Sequence, residues 1–317
     1  MRARISLLAL CLAACVNPGH PPPPDFSNVH VPPGGRLLAL DRTLVVLGPD
    51  GTFAFHGSDG QRTGHGKVDG GLTTAAPRHH LFLLAGAQGV YYAAGGTSQK
   101  PFVRLDEPIE QMISGDFEPK RPGKELFLVT NEGGVHRLDT QGPKLVAELG
   151  DRVVGAEVFR APDREVAMLA TEGGGLCVLR QEDYIYRAHF FHYHDSDLVA
   201  LSAGPWSKHG EPVFFAAGSD GVVLRISHGG PATWNIDEIH RAPETPKALV
   251  AGAFASDPKR EAFALLGESG TIFLVERDDK GAWVVKRSES QGAIALARMG
   301  SANLLAVGKN GAVRSID

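Results

Sequence analysis

The chain is dominated by short apolar runs that occur in pairs across glycine-bearing turns. In residues 125–139, ELFLVTNEGGVHRLD, one apolar run at 126–129 precedes the turn and a second run at 135–138 follows it. Two such runs joined by a tight glycine turn are typical of an antiparallel β-hairpin. This hairpin is the repeating unit of the chain.

The same hairpin recurs seven times. The last glycine of each predicted turn is Gly51, Gly89, Gly134, Gly175, Gly221, Gly270 or Gly311, and the separations are 38, 45, 41, 46, 49 and 41 residues. A period of this length with short strands is typical of propeller blades. The sequence therefore predicts an all-β chain that folds as a seven-bladed β-propeller.

Each repeat divides into four predicted strands. In the third repeat these are 111–117 at the centre of the ring, then 126–129, 135–138 and finally 144–149 at the periphery. The second strands are almost continuously apolar, at 81–85, 166–170, 213–217 and 262–266. Strands covered on both faces have this composition, which favours four-stranded antiparallel blades packed between neighbours. The large residues of the outer strands, Phe102, Tyr184, Trp234 and Trp283, are expected to fill the gaps between blades.

The seventh repeat has a predicted third strand at 312–316 and no outer strand after it. An unpaired strand would leave an exposed sheet edge. Residues 25–31, DFSNVHV, precede the first inner strand, Arg36–Leu40, and have alternating apolar positions. We expect them to pair with the seventh blade and close the ring, so that the propeller domain spans residues 36–317.

The first 14 residues have the pattern of a secretory signal peptide. Arg2 and Arg4 precede an apolar stretch at 5–14 that is too short to cross a bilayer as a helix. The sequence Leu-Ala-Ala-Cys at 12–15 resembles the lipobox of bacterial lipoproteins. This resemblance implies cleavage before Cys15 and acylation of its thiol and new amino group, and Val16 as the following residue implies the outer membrane. The alternative is an ordinary signal peptide with a coincidental cysteine.

Residues 15–35 combine the candidate lipidated Cys15 with a proline-rich linker that includes four consecutive prolines at 21–24. Proline-dense sequence adopts extended polyproline II and acts as a semi-rigid spacer. We expect it to hold the propeller away from a membrane to which several acyl chains anchor it. No later apolar run reaches 18 residues, so no second membrane span is predicted.

The charge composition limits the classes of partner. The full chain has a formal net charge of −4, and loss of Arg2 and Arg4 leaves 30 Lys and Arg against 36 Asp and Glu, a net charge of −6. A chain with no basic patch is not expected to bind nucleic acid. Cleavage and lipidation would leave Cys177 as the last unmodified cysteine, so no intramolecular disulfide is expected.

One loop resembles a known repeat family. Residues 115–126, GDFEPKRPGKEL, resemble the FG-GAP or VCBS-type repeat of integrin-like propellers, in which a GDF-like end leads into an acidic calcium loop. The resemblance implies calcium, but calcium needs six to eight oxygen ligands and the part of the loop at 118–123 has two cations beside one acid. Because Lys or Arg also accompanies the glutamates before other second strands, we expect these glutamates to tie loops through ion pairs, and we expect no calcium site: Glu125, Glu165, Glu211, Glu261.

Residues 189–197, HFFHYHDSD, form the densest cluster of potential metal ligands and lie between the fourth and fifth repeats. If the strand continues, His192 and His194 share one face and His189 lies on the other. Two imidazoles together with Asp195 or Asp197 have the chemistry of a zinc or other transition-metal site. The alternative is a long loop with polar rings at the rim of the ring.

The sequence contains no nucleophile elbow, zincin motif or phosphate-binding loop. His79 and His80 are expected to lie at the edge of a turn, and Cys177 in a buried strand. Two classes of function remain: a binding or scaffold module for protein or polysaccharide, with no cofactor, or a propeller enzyme of the lactonase, lyase or glycosidase kind with its site in the central channel. The mostly apolar or small inner strands at 72–75, 153–159 and 294–297 favour binding.

Overall fold

The structure is a computed structural model that describes residues 25–316 except 41, 79–80, 94–95, 119–123, 161–164, 183–184, 209–210, 231–232, 255–259, 291 and 301. In this part of the chain there are 27 β-strands. It contains no helix of the length and hydropathy needed to cross a membrane. The predicted signal peptide, Cys15 and the proline run lie outside the described residues.

The strands form seven sheets, numbered here as blades 1 to 7 in chain order. Blade 1 contains β1 Arg36–Leu40, β2 Thr43–Leu47, β3 Thr52–His56 and β4 Arg62–Val68. Blade 2 contains β5 Leu72–Arg78, β6 Leu81–Gly86 and β7 Gly89–Tyr92, and is followed in the chain by β8 Gly96–Gln99. Blade 3 contains β9 Ile109–Gly115, β10 Glu125–Thr130, β11 Gly134–Asp139 and β12 Gly142–Glu148. In blades 4 and 5 they are β13 Val153–Arg160, β14 Glu165–Thr171, β15 Gly175–Glu182 and β16 Ile185–Tyr193; β17 Leu198–Lys208, β18 Glu211–Gly218, β19 Val222–Gly230 and β20 Thr233–Arg241. In blades 6 and 7 they are β21 Pro246–Ala251, β22 Ala262–Gly267, β23 Thr271–Arg277 and β24 Trp283–Ser290; β25 Ala293–Met299, β26 Asn303–Gly308 and β27 Val313–Ile316.

The second strand of each blade is the most buried, as its apolar composition predicts. Phe127, Leu128 and Val129 of β10 and Phe263 and Ala264 of β22 are completely buried. Seven clusters of buried apolar side chains lie between neighbouring blades, one at each interface from blades 1 and 2 around to blades 7 and 1. Burial of one such side chain contributes about 1.5–3 kcal/mol, so the interfaces hold the ring together.

Two of the large outer-strand aromatics fill gaps between blades as expected. Trp234 packs against Phe159 of blade 4 and Phe214 of blade 5, and Trp283 packs against Phe215 of blade 5 and Phe263 of blade 6. Phe102 does not, because its ring stacks on Tyr92 of the same blade and both side chains remain exposed. Tyr184 lies outside the described residues.

The turn glycines follow the predicted period with one local correction. Gly51, Gly221, Gly270 and Gly311 have φ between 81° and 88°, the left-handed conformation that tight turns require. In the third and fourth hairpins the left-handed residue is Gly133 or Gly174, one position before the predicted Gly134 or Gly175. The second glycine of each Gly-Gly pair instead begins the next strand, β11 or β15.

Blade 2 departs from the four-stranded pattern. Its last strand, β8, pairs in parallel with β4 of blade 1, which makes a five-stranded sheet there. The outer position of blade 2 holds one isolated bridge between Val90 and Val103. The diversion of β8 therefore links blade 2 to its neighbour by backbone hydrogen bonds as well as by the apolar interface.

The segment at 25–31 does not form the predicted strand, because a turn at Ser27 and Asn28 interrupts it. It makes one antiparallel bridge, His30 to Ala312, next to β27 of the three-stranded blade 7. Val31 N donates to Gly311 O over 2.8 Å, and the side chains of Phe26, Val29 and Val31 are buried among residues of blades 7 and 1. Whether this contact is what closes the ring stays a prediction.

Candidate functional site

The inner strands of the seven blades contact one another in sequence around the ring and surround a central channel. Side chains tie neighbouring inner strands: Gln111 Nε2 donates to Val153 O over 3.1 Å, and Ala251 N donates to Ser202 Oγ over 3.0 Å. At Gly155 an added Cβ would lie 2.6 Å from Leu201 Cβ, so only glycine permits this approach of blades 4 and 5. The channel is therefore bounded by closely packed backbone.

Six of the seven inner strands have a register shift at the same place. In each, the second residue has no partner on the neighbouring strand, which is the arrangement of a β-bulge. These residues are Thr73, Glu110, Val154, Val199, Lys247 and Ile294. In each case the preceding residue is buried. The bulged residue is therefore the first side chain of the inner strand that is at least partly exposed. With Arg36, the first residue of β1, these side chains form what we call the channel mouth.

One arc of the channel mouth is polar. The guanidinium of Arg36 in blade 1 crosses in front of blade 2, where Nη1 lies 3.3 Å from Thr73 O, and reaches blade 3, where Nη2 lies 2.9 Å from Glu110 Oε2. The two charged side chains are 42% and 20% exposed. The ion pair occupies the mouth from blade 1 to blade 3.

The opposite arc of the channel mouth is apolar. Val154 and Val199 are half-buried, and the side chain of Ile294 is 51% exposed, which is unusual for isoleucine. Lys247 lies between them in blade order, but its Nζ donates to Glu268 O, 3.0 Å away in a turn. The arc from blade 4 to blade 7 thus presents methyl groups to solvent.

Further along the channel a second set of polar contacts crosses between blades. Arg298 lies four residues after Ile294 on β25, about 13 Å along the strand. Its Nη1 donates to Ala203 O of blade 5 over 2.6 Å and to Ala251 O of blade 6. One arginine of blade 7 therefore satisfies carbonyl groups of two other blades.

Glu157 of blade 4 lies near Arg298. Burial raises the pKa of the Glu157 carboxyl, although a backbone hydrogen bond from Ala203 and the positive charge of Arg298 act in the opposite direction. The inner strands at 153–159 and 294–297 are mostly apolar or small, with Glu157 as the exception, and Arg298 lies one position after the second range. Both residues were visible in the sequence, but their approach across the ring depends on the closure of seven blades.

The turns and links at the glycine-turn end of the blades are strongly acidic. Topology places these segments together, since strands alternate in direction and every inner strand starts at this end. They hold four of the chain's Lys and Arg residues, Lys100, Arg104, Arg152 and Lys309. They hold twelve Asp and Glu residues: Asp50, Asp69, Asp106, Glu107, Glu132, Asp151, Glu172, Asp195, Asp197, Asp220, Glu244 and Glu268. This end of the ring, which surrounds the channel mouth, therefore attracts cations.

The histidine cluster lies on β16 and the link that follows it. His192 and His194 lie side by side with ring centroids 6.4 Å apart, whereas His189 Nε2 lies 3.2 Å from Glu182 Oε1. His194 Nε2 lies 3.3 Å from Asp220 Oδ1 of blade 5. Among the described residues no three His, Cys, Asp or Glu side chains are grouped to hold a metal ion.

The remaining residues of this cluster have separate roles. Asp197 O accepts a hydrogen bond from Ser219 N, and Asp195 is exposed. Burial lowers the pKa of His192, as does the neighbouring His194, whereas Asp195 and Glu238 raise it. The five candidate ligands therefore border the interface of blades 4 and 5 without converging on one point.

The glutamates that precede the second strands tie loops through backbone amides or through a neighbouring blade. Glu125 Oε2 accepts from Phe117 N and Glu165 Oε2 from Asp116 N, each over 2.8 Å. Glu261 forms a bidentate pair with Arg225 of the preceding blade, at 2.7 and 2.8 Å. Pairing of these glutamates with adjacent Lys or Arg stays a prediction, because Lys120, Arg121 and Arg164 lie outside the described residues. The side chain of Glu211 is also outside the described set.

Cys177 is completely buried, and burial raises the pKa of its thiol to about 12. A thiol with this pKa carries almost no thiolate at neutral pH and is a poor nucleophile. The prediction of a structural cysteine is consistent with this geometry. His79 and His80 are outside the described residues.

No protein-family model and no curated protein matches the chain. Many solved structures do match it. Two are crystal structures of BBS1N in complex with ARL6DN. The structure soaked with mercury has a TM-score of 0.61 and 14% identity, covering 92% of this chain and 91% of that one. The structure soaked with lead has a TM-score of 0.59 and 15% identity, covering 90% of this chain and 91% of that one. A third is the Myceliophteria thermophila Cps50 (Swd1) β-propeller domain, with a TM-score of 0.57 and 12% identity, covering 89% of this chain and 94% of that one. At these identities the likeness establishes the fold, and the chain is a seven-bladed β-propeller.

Proposed function

We propose that this protein is a lipid-anchored propeller that binds a protein or polysaccharide of the cell envelope through the glycine-turn end of its ring. Acylated Cys15 holds it in the outer membrane, and the proline-rich linker separates the ring from the lipid. The FG-GAP-like loop remains as a structural connection tied by Glu125. The observation that carries the proposal is the glycine-turn end of the ring, which combines an exposed apolar arc with twelve acidic residues.

Similar structures support a binding role by analogy. The BBS1N structures are of a complex with ARL6DN, so a propeller of this shape serves as a protein-binding module there. A rigid ring with projecting turns suits such recognition because its surface loses little conformational freedom on association. Likeness of fold alone does not decide between functions. The acidic glycine-turn end is the feature of this chain on which the proposal depends.

An enzyme with its site in the channel is the second candidate. It is favoured by Glu157, a carboxyl group with a raised pKa on an inner strand. The observation against it is that Arg298, the nearest cation, is occupied by two backbone carbonyl groups, and the carboxyl group at the channel mouth, Glu110, is paired with Arg36. Both sets of contacts tie blades together, which is a structural role.

Binding of the unlipidated domain to envelope fragments tests the proposed function. A purified Cys15→Ser protein should bind saturably to fragments from cells that lack the gene. Loss of this binding after protease treatment of the fragments identifies a protein partner, and its persistence identifies a polysaccharide. Binding that rises linearly with concentration and never saturates would contradict the binding function.

A further inference from the structure

The channel mouth has an open half and an occupied half. The Arg36–Glu110 ion pair occupies the side formed by blades 1 to 3, and Lys247 is held by a carbonyl of the rim. The Arg36–Glu110 pair lies outside the arc between blades 4 and 7, whereas the exposed Lys247 of blade 6 lies within it with its Nζ bonded to the rim. The surface that remains accessible there consists of Val154, Val199 and the exposed Ile294.

The position of these three side chains comes from backbone geometry rather than from chance exposure. Each is the unpaired residue of a β-bulge, and the residues before them, Val153, Leu198 and Ala293, are buried. Val154 and Val199 pack in part against the apolar clusters between blades 4 and 5 and between blades 5 and 6, whereas Ile294 is 51% exposed. Because the same irregularity recurs around the ring, the apolar arc is a built feature of the inner strands.

The charge around the channel mouth defines what the arc can receive. The surrounding turns and links carry twelve acidic residues and four basic ones. An apolar group that approaches from solvent passes through this negative potential, which repels acidic partners and attracts basic ones. The rim and the arc together select a ligand with an apolar tip and positive flanks.

We infer that the channel mouth binds a protruding loop or chain end of a partner protein, in which one aliphatic or aromatic side chain is flanked by Lys or Arg. The apolar side chain contacts Val154, Val199 and Ile294, and the flanking cations lie against the acidic rim. This inference rests on the proposed binding function and specifies its partner chemistry.

Fluorescence anisotropy with labelled peptides tests the inference on the purified Cys15→Ser protein. The probe has one leucine flanked on both sides by lysines; one comparison peptide has serine in place of leucine, and another has glutamates in place of the lysines. Because burial of a leucine side chain is a substantial part of the affinity of a short peptide, we expect the probe to bind about tenfold more tightly than the serine peptide. The glutamate peptide should not bind, and added salt should weaken the probe.

Ile294→Asn is the decisive variant because it removes the exposed apolar group without altering charge. The variant should bind the leucine probe no more tightly than the serine peptide, and its affinity for the serine peptide should equal that of the unsubstituted domain. The matched control is Ile185→Asn, since Ile185 is 56% exposed on the outer strand of blade 4. Unchanged thermal melting of both variants verifies that they are folded.

Three results would overturn the inference. The first is equal affinity for the leucine and serine peptides, and the second is equal affinity of the Ile294→Asn and Ile185→Asn variants for the leucine probe. The third is a dimer of the protein that Ile294→Asn dissociates, because the occupant of the channel mouth would then be a second copy of this chain. If the peptides fail while the domain still binds envelope fragments saturably, the partner chemistry is wrong and the proposed binding function stands.

Discussion

At the scale of single residues, the ring is tied by a small number of polar side chains that cross the channel. Arg298 connects blade 7 to blades 5 and 6 through two carbonyl oxygens, and Glu157 of blade 4 lies within its field. Arg36 connects blade 1 to blades 2 and 3. The two arginines differ in setting, because Arg36 is exposed and Arg298 is partly buried, and this difference predicts different energetic roles.

Arg298→Ala should lower the free energy of unfolding by about 2–4 kcal/mol, because it leaves two carbonyl groups and a partly buried carboxylate without their cation. Arg36→Ala, the matched control, should change it by about 0–1 kcal/mol because exposed ion pairs contribute little. Urea unfolding monitored by circular dichroism measures both. Equal effects of the two variants would show that Arg298 is not a structural tie.

Glu157→Gln should show a pH-dependent effect on stability. Because burial raises the pKa of Glu157 in the folded protein, the folded state binds a proton more strongly than the unfolded state does. The stability of the wild type therefore falls as pH rises from the unfolded-state pKa through the folded-state pKa. Relative to wild type, Glu157→Gln should become more stable between pH 4 and pH 7 in urea titrations, and a constant difference would show that the carboxyl pKa is not raised.

At the scale of strands and turns, most of the blade architecture follows from the sequence. The apolar second strands, such as β10 and β22, were identifiable because burial on both faces requires nearly every residue to be apolar. The turn period was identifiable because glycine is needed at positive φ, though a Gly-Gly pair shifted the turn by one residue at Gly133 and Gly174. Both signals are local in the chain.

Other features were not predictable because they depend on pairing between distant segments. The bulges of the inner strands follow from the register against the second strands, and a bulged residue such as Thr73 or Ile294 has no characteristic side chain. The diversion of β8 to blade 1 and the turn at Ser27 and Asn28 depend likewise on which neighbour is available. The channel mouth was missed for this reason, since it assembles one residue from each of seven repeats.

Removal of the segment at 25–31 should destabilise the propeller strongly for its length. A protein that begins at Gly34 loses the buried side chains of Phe26, Val29 and Val31 between blades 7 and 1, each contributing about 1.5–3 kcal/mol. Its thermal midpoint should be lower by more than about 5 °C than that of a protein that begins at Val16. If the two proteins melt together, the ring is closed without this segment.

At the scale of the whole molecule, the ring has an acidic glycine-turn end. The net charge of the chain, −4, gives no indication of this acidic end, which follows from where the acidic residues fall in the repeats. Since every link between blades emerges at the glycine-turn end, acids in successive links accumulate on one face. Acidic residues at equivalent positions of successive repeats therefore form one charged surface.

Cys15→Ser should release the protein from the membrane without unfolding it, because the proposed tether is the acylated cysteine. Cell fractionation should then place the variant in the soluble envelope fraction and the wild type in the membrane fraction. A salt wash of the membranes serves as the control for electrostatic association. Retention of the washed variant on membranes would mean that another contact anchors the protein.

Site-specific photo-cross-linking in cells tests the central claim most directly, namely that the glycine-turn end of the ring binds the partner. A photoreactive side chain is placed at Ile294 in the channel mouth or, as the matched position, at Ile185 on the outer strand of blade 4, both of which are about half exposed. The account predicts one discrete adduct from position 294 and none from position 185. An adduct from position 185 alone would place the binding surface on the other end of the ring and contradict the account.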